Sequence, residues 1–349
     1  MVIKQGEELA QLCARILAKA GAEPSIAERV SRHLINANLA GVDSHGVLRL
    51  PDYAAYLQDS RVAPNDRIEV ISDKGAACLL DAHFTFGIVA AQRAAQLAAE
   101  RARKLGIGAA SVRNSTHIGR LGDYMEELAR DGLVGFICCN AQGSGQFVAP
   151  WGGREARLST NPMAWGFPTG REEGPLVLDM ATSAWPEGKV RLKMRVGEPV
   201  PLGRVIRADG SGTTDPKDLF GPPLGALLPF GEHKGYGLGL VVEMLSGALS
   251  GGGCCHHADN SHTHESAFFV MAMDVGSLLP LEEATGIIDR LLAWVKTSAP
   301  AQPDGKVLVP YELEVGERKR RSSRGIPLGD QIWERIVTVA RELDVPLED

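Results

Sequence analysis

An α/β core bracketed by helical segments is the fold class that the sequence predicts, on three observations. Apolar residues recur at three- and four-residue intervals near both ends of the chain, short apolar runs of strand length fill the middle, and helical stretches separate several of those runs. Helices are predicted over 6–20 and 25–40, joined by "GAEP", with a third over 49–57. Strands follow at 67–72 ("RIEVIS") and 76–82 ("AACLLDA"). The segment "FGIVAAQRAAQLAAERARKLG" (86–106) has the alanine content and closing glycine of a stable helix. Further strands are predicted at 107–112, 133–140, 163–168, 175–181 and 266–274, and helices near 121–131, 236–249 and 280–297. A last helix at 330–343 is expected to return to the N-terminal helices, making a discontinuous helical unit of 1–75 and 280–349 around an α/β unit of 76–279. The basic run "ERKRRSSR" (317–324) reads as a solvated surface loop, with binding of an adenylate phosphate as the alternative.

Composition narrows the function classes. A chain of 349 residues, 44% hydrophobic and 23% charged, is globular and long enough for a large core. A formal charge of −6 argues against general nucleic-acid binding, which needs a basic face to neutralise phosphates, and favours small molecules or proteins as partners. No apolar run reaches the roughly 18 residues of a membrane span. The start "MVIKQGEELAQLCARIL" carries charges where a leader would be apolar, so a cytoplasmic protein is expected. Six cysteines, including the adjacent pairs Cys138-Cys139 and Cys254-Cys255, form a poor disulfide framework; reduced thiols are expected.

The chemistry is expected at motif-like interruptions of the apolar pattern. Neither Gly-x-Gly-x-x-Gly nor Gly-x-x-x-x-Gly-Lys-Ser/Thr is found, which disfavours a Rossmann or P-loop enzyme; the glycines of "GYGLGL" (235–240) suit close helix packing instead. In "NLAGVDSHGVLRL" (38–50), Ser44, His45, Gly46 and Arg49 follow a helix. If helix continues to Arg49, residues 45 and 49 share a face, and an imidazole and a guanidinium address one small molecule. That pair suits a 2-oxo or 2-hydroxy acid: Arg holds the carboxylate while His exchanges the hydroxyl proton. The competing reading is a helix C-cap with Gly46 left-handed. In "VRNSTHIGRLGDY" (112–124), His117 follows a strand end, where either catalytic or N-capping chemistry is expected. Asp179 ends the strand of "LVLDMATSAWPEGKV" (176–190), a place from which a carboxylate orients a histidine, binds a ribose or makes an Asx turn. The loop "WGGREARLSTNPMAWGFP" (151–168) offers backbone N–H groups to an anion. "GGGCCHHADNSHTH" (251–264) invites a zinc-hydrolase reading, but adjacent Cys254, Cys255, His256 and His257, with His262 and His264, lack convergent ligand spacing; a surface loop with no metal is favoured.

Taken together, "GVDSHGVLRLPDY", "NSTHIGRLGDY", "STNPMAWGFP", "LVLDMATS", "EGKV", "PFGEHKGYGLGLVVEMLSGALSG" and "RGIPL" resemble, in order and approximate spacing, the malate/L-lactate dehydrogenase family, over nearly the whole chain. That family also includes ureidoglycolate and sulfolactate dehydrogenases, diketogulonate reductase and a piperideine carboxylate reductase. The resemblance implies a non-Rossmann NAD(P)-binding domain with a mixed, largely antiparallel sheet flanked by helices, a helical domain from both chain ends, and a homodimer. It implies NAD- or NADP-dependent hydride transfer on a small 2-hydroxy or 2-oxo acid, or alternatively on a cyclic imine carboxylate. By resemblance His45 is the proton donor or acceptor, Asp179 its electrostatic partner favouring the charged imidazole, His117 a second candidate base, and Arg49 the carboxylate clamp, with Ser44 and Thr160 beside the substrate. Cofactor contacts are implied at Asn140, Asn161, Pro162, Asp179, Met180, Ala181, Thr182, Ser183, His233, Lys234 and Glu312. Three departures stand out: the usual Pro-Gly-Glu is here Pro310-Tyr311-Glu312, Trp185 and Pro186 intervene before "EGKV", and the 254–264 loop is idiosyncratic.

Overall fold

The computed structural model describes residues 1–142, 145–256 and 265–347. The chain opens with a short strand, β1 (Val2–Lys4), then helices α1 (Gly6–Lys19), α2 (Pro24–Leu39) and α3 (Leu50–Gln58). Strands β2 (Glu69–Asp73) and β3 (Ala77–Asp81) lead into α4 (Gly87–Leu105), β4 (Ile107–Ser115), α5 (Leu121–Arg130) and β5 (Leu133–Cys139). Next come β6 (Met163–Phe167), β7 (Leu176–Met180) and α6 (Glu187–Val196), then the two-residue strands β8 (Val205–Ile206), β9 (Gly212–Thr213) and β10 (Ala226–Leu227). The last part holds α7 (His233–Glu243), β11 (Ser266–Asp274), α8 (Leu281–Lys296), α9 (Glu312–Arg324), β12 (Ile326–Leu328) and α10 (Asp330–Glu342).

Among the described residues the largest sheet has seven strands in the order β2-β3-β4-β11-β5-β6-β7. Its single parallel pair is β3 with β4, bridged by α4; every other neighbour is antiparallel. This is the mixed, largely antiparallel sheet flanked by helices that the resemblance implied. One apolar core lies beneath the sheet helices, where Ala91, Ala94 and Ala98 of α4 and Tyr124 of α5 meet Leu80, Val112, Ile137 and Phe268. Small side chains on α4 let the helix approach the sheet closely, so its alanine stripe serves packing as well as helix propensity.

A second core joins the chain ends. Leu9, Ile16 and Leu34 pack with Tyr53 and Phe86, and with Ile326 and Ile336 from the far end of the chain. Strand β1 pairs antiparallel with β12, placing Val2 against Leu328. The sequence pattern anticipated the return of the last helix but not this pairing, because strands of three residues carry too few alternations to be read. Two further elements went unforeseen: α6, which begins directly after Pro186, and the small β10-β8-β9 sheet, whose strands are only two residues long. The run 317–324 is helix α9, not a loop. Among the described residues no helix is long and apolar enough to cross a membrane.

Candidate active site

The turn carrying His45 is built from distant parts of the chain. Helix α2 stops at Leu39, and Gly41 takes the left-handed conformation (φ 79°) that ends it. Residues Asp43–His45 then form one 3-10 turn and Val47–Arg49 another. The single helical face expected for residues 45 and 49 is therefore absent, as is the alternative left-handed cap at Gly46, whose φ is −89°. Gly46 is required for a different reason: a Cβ there would lie 2.2 Å from Asn38 Oδ1. That oxygen accepts from the Val47 N–H at 2.8 Å, and Asn38 Nδ2 donates to Asp43 Oδ1 at 2.6 Å. From α9, the buried Arg321 grips the same carboxylate with two nitrogens, at 2.6 and 3.1 Å. A bidentate charge-assisted pair of this kind fixes orientation as well as position, so part of the basic run is a clamp on the histidine turn.

His117 reaches the same place from the end of β4. Its ring stacks on that of His45, with centroids 5.5 Å apart and planes 17° from parallel. His117 Nδ1 lies 2.6 Å from the Tyr53 hydroxyl and 3.4 Å from the Gly119 N–H. A backbone N–H can only donate, so Nδ1 carries the lone pair and the proton of the neutral ring resides on Nε2. His45 Nδ1 is 2.9 Å from Ser44 Oγ. Arg49 Nε donates to the Ser44 carbonyl at 3.0 Å, which folds the guanidinium back toward the histidine turn. Tyr53 is a site residue that sequence reading passed over; its place two residues past Pro51 in α3 offers only a core signal.

The field at His45 is cationic. Burial chiefly, then the Arg49 guanidinium, with His33 and Arg120 behind it, pull its pKa down to about 3. The ring keeps part of its surface open to solvent. The downward shift corrects the expectation that Asp179 favours the charged imidazole. Asp179 Oδ2 instead accepts from the Gly122 N–H at 2.8 Å and lies 4.0 Å from Arg120 Nε. Burial pushes the Asp179 carboxyl up, opposed by Arg120 and the Gly122 N–H. The buried Arg120 also pairs with Asp123, and its guanidinium sits 5.6 Å over the Tyr311 ring.

The residues implied as cofactor contacts divide into two groups. At the end of β7, the Thr182 N–H and hydroxyl both bond the Thr160 carbonyl, at 2.9 and 3.1 Å. Ser183 donates to the Trp185 carbonyl, and the Phe230 N–H donates to the Thr182 carbonyl. Phe230 leads into α7, whose first residues, His233 and Lys234, are exposed. On the other side, α6 begins beside the histidine turn: a Cβ on Gly188 would lie 3.6 Å from Ser44 Cβ. Thr182 thus lies against the segment that leads into α7, and Gly188, five residues past Ser183, lies against Ser44. Asn140 and Asn161 are turned elsewhere. Their side-chain amides donate at 3.0 Å to the two carboxylate oxygens of Glu243, which also accepts the Cys255 N–H at 3.0 Å. The Pro162 carbonyl accepts from the Cys139 N–H. Glu312 is held by Arg171 and Lys296 in ion pairs of 2.9 and 2.5 Å.

Tyr311 keeps the left-handed conformation that a glycine would adopt there (φ 80°), and its buried hydroxyl donates to Glu126. Of the Cys/His-rich loop, His257, His262 and His264 lie outside the described residues; among those described, no three His, Cys, Asp or Glu side chains converge as metal ligands. Two surface clefts of about 520 and 560 Å³ are lined by none of the expected site residues.

The chain as a whole matches a known family. The family model for malate/L-lactate dehydrogenase matches residues 5–337. The chain belongs to the malate/L-lactate dehydrogenase family. Within it, the chain is 38% identical to hydroxycarboxylate dehydrogenase B of Escherichia coli K12, over 95% of this chain and 92% of that one. It is 36% identical to an L-lactate dehydrogenase of Cupriavidus necator, covering 96% of each. The crystal structure of malate dehydrogenase from Entamoeba histolytica superposes with a TM-score of 0.95 at 27% identity, covering 100% of this chain and 99% of that one.

Proposed function

We propose that this member of the malate/L-lactate dehydrogenase family is an NAD(P)-dependent oxidoreductase acting at the C2 position of a small 2-hydroxy or 2-oxo acid. The observation that carries the reading is the stacked His45–His117 pair with the Arg49 guanidinium folded back beside it. The bound nicotinamide supplies hydride exchange with C2. The residues fit such a group: the exposed His233 and Lys234 at the start of α7 suit a pyrophosphate, because an N-terminal helix end and a cation both favour negative charge. Thr182 lies against the segment that leads to that point, and Gly188 lies against Ser44.

Arg49 holds the substrate carboxylate. His45, neutral in its cationic surroundings, takes the hydroxyl proton during oxidation. The incoming carboxylate offsets the Arg49 charge, the largest charge contribution depressing His45, so substrate binding raises the proton affinity of the ring when it must exchange a proton. His117, with its proton on Nε2, supports the developing charge on the substrate oxygen. Asp179 acts on Arg120 and the Gly122 backbone and so shapes the floor of the site. We also propose a homodimer in the cytoplasm; the apolar face of α8, where Trp294 is 72% and Leu291 55% exposed, supports the dimer.

The test is turnover of NADH and NADPH across a panel of 2-oxo acids and one cyclic imine carboxylate, with light scattering for the oligomeric state. Oxidation of either cofactor by a 2-oxo acid, abolished in His45→Ala, supports the reading. Turnover of the imine alone moves the substrate class. No turnover by a well-folded protein that binds neither cofactor removes the dehydrogenase assignment.

A further inference from the structure

His33 stands outside every motif singled out above. It lies on α2, five residues before Asn38, and is almost wholly buried at 3% exposure. Its Nε2 accepts the Arg120 N–H at 2.9 Å, its Nδ1 lies 3.4 Å from Asp123 Oδ2, and its ring stacks on Tyr124 at 5.2 Å. Since a backbone N–H cannot accept, the lone pair is on Nε2 and the proton on Nδ1, facing the carboxylate. Burial lowers the pKa of the ring, opposed by Asp123 and reinforced by Arg120, which agrees with a neutral imidazole in that tautomer.

What His33 holds is the loop of His117. Arg120 immediately precedes α5, and its buried N–H has His33 as its acceptor. Gly119, in the left-handed region at φ 69°, lies directly on the imidazole: a Cβ there would meet His33 Nε2 at 2.2 Å. The Gly119 N–H in turn points to His117 Nδ1. From its other end, α2 runs into the turn of Ser44 and His45. One helix therefore supports both imidazoles of the stacked pair, through the chain connection on one side and through the His33 acceptor on the other.

We infer that His33 is a positioning residue that sets the orientation and tautomer of His117 against His45. An apolar residue of similar size would fill the space but orphan the Arg120 N–H, and the loop would turn to satisfy it elsewhere. The inference rests on the proposed dehydrogenase reading for its kinetic consequence, though not for its geometric one.

The test uses the full-length protein with His33→Leu and His33→Gln, read by kinetics on the best substrate of the panel and by long-range ¹H–¹⁵N correlation of the histidine rings. In His33→Leu, kcat should fall at least about tenfold while KM for the acid stays within about twofold, since the substrate clamp is untouched. The His117 ring should lose its pure Nε2–H pattern. His33→Gln, whose amide oxygen reaches the same N–H, should recover kcat to within about threefold and restore the His117 pattern. A folded His33→Leu with wild-type kcat and an unchanged His117 ring overturns the inference, as does loss in His33→Leu that Gln fails to rescue. If His33→Leu does not fold, His33→Gln is compared with the shorter His33→Asn, and equal kcat and ring patterns in the two overturn it. If the wild type binds neither cofactor and turns over no substrate of the panel, the dehydrogenase reading falls, and the ring spectra alone decide the role of His33.

Discussion

The His45–His117 pair and the Glu243 cluster are both polar groups set among apolar elements, and both contain residues expected to touch ligand, yet they differ in how far they face solvent. The Glu243 carboxylate is ringed by protein donors: Asn140 and Asn161 donate to it, and so does the Cys255 N–H. The histidine pair is placed differently. Each ring has a partner at Nδ1, Ser44 for His45 and Tyr53 for His117, while both rings keep some surface exposed. A carboxylate ringed by donors inside the protein stabilises; an imidazole whose ring keeps surface open to solvent can act on something else. The difference teaches that a motif residue is functional according to where its hydrogen-bonding capacity is used.

The comparison is broken most severely at the histidine. His45→Ala should lower turnover by about 10²–10⁴-fold, the range for removal of a general acid–base, without loss of dinucleotide affinity by fluorescence quenching. Turnover near that of the wild type in a folded variant would place the chemistry elsewhere. Glu243→Ala should act on stability instead. Each side-chain amide keeps a carbonyl acceptor, Gly253 for Asn140 and Gly239 for Asn161, but loses one partner, and the Cys255 N–H loses its own; at about 1–3 kcal/mol for each lost bond, chemical denaturation should show a total loss of about 3 kcal/mol or more. If the variant unfolds at the wild-type denaturant midpoint, the cluster is not the internal knot described.

Arg49→Lys is a smaller change that separates clamp from base: with the two-pronged guanidinium lost, kcat/KM should fall about tenfold, mainly through KM. An unchanged KM would exclude the clamp. The smallest effect is on pH dependence. His45 titrates at about 3 in the folded chain, against roughly 6.5 unfolded. Unfolded chains therefore bind the extra proton first as pH falls. The contribution of His45 is fully present above about pH 6.5 and is lost progressively down to about pH 3. His45→Gln should thus flatten the acid decline of Tm across that window relative to wild type; parallel curves would deny the depressed pKa.

Much of the fold was legible. The helices of the first sixty residues, the alanine-rich α4 and the central strands have enough turns or alternations to state their own period. Helix α9 was misread because "ERKRRSSR" looks solvated when charges are counted singly. Its i,i+4 pair from Glu317 to Arg321 and the burial of Arg321 against Asp43 explain the helix. In the site, His45, His117 and Arg49 were readable as residue types suited to a hydroxy acid, and they do come together. The role given to Asp179 did not follow, because Arg120, a buried cation with no motif of its own, takes its charge. Tyr53 and His33 left no legible mark, being an aromatic and a histidine at ordinary core positions of their helices.

By itself the sequence determined the elements, their order and the chemical types available at each break in the apolar pattern, since local periodicity and turn chemistry are written within a few residues. Only the tertiary structure decided which polar groups neutralise one another. The partners that make the decision are far apart in the chain, 278 residues for Asp43 with Arg321, 87 for Arg120 with His33 and 82 for Asn161 with Glu243. A hydrogen bond reports distance and direction in space, and a single sequence holds neither until the cores of α1–α4 and of the sheet have closed.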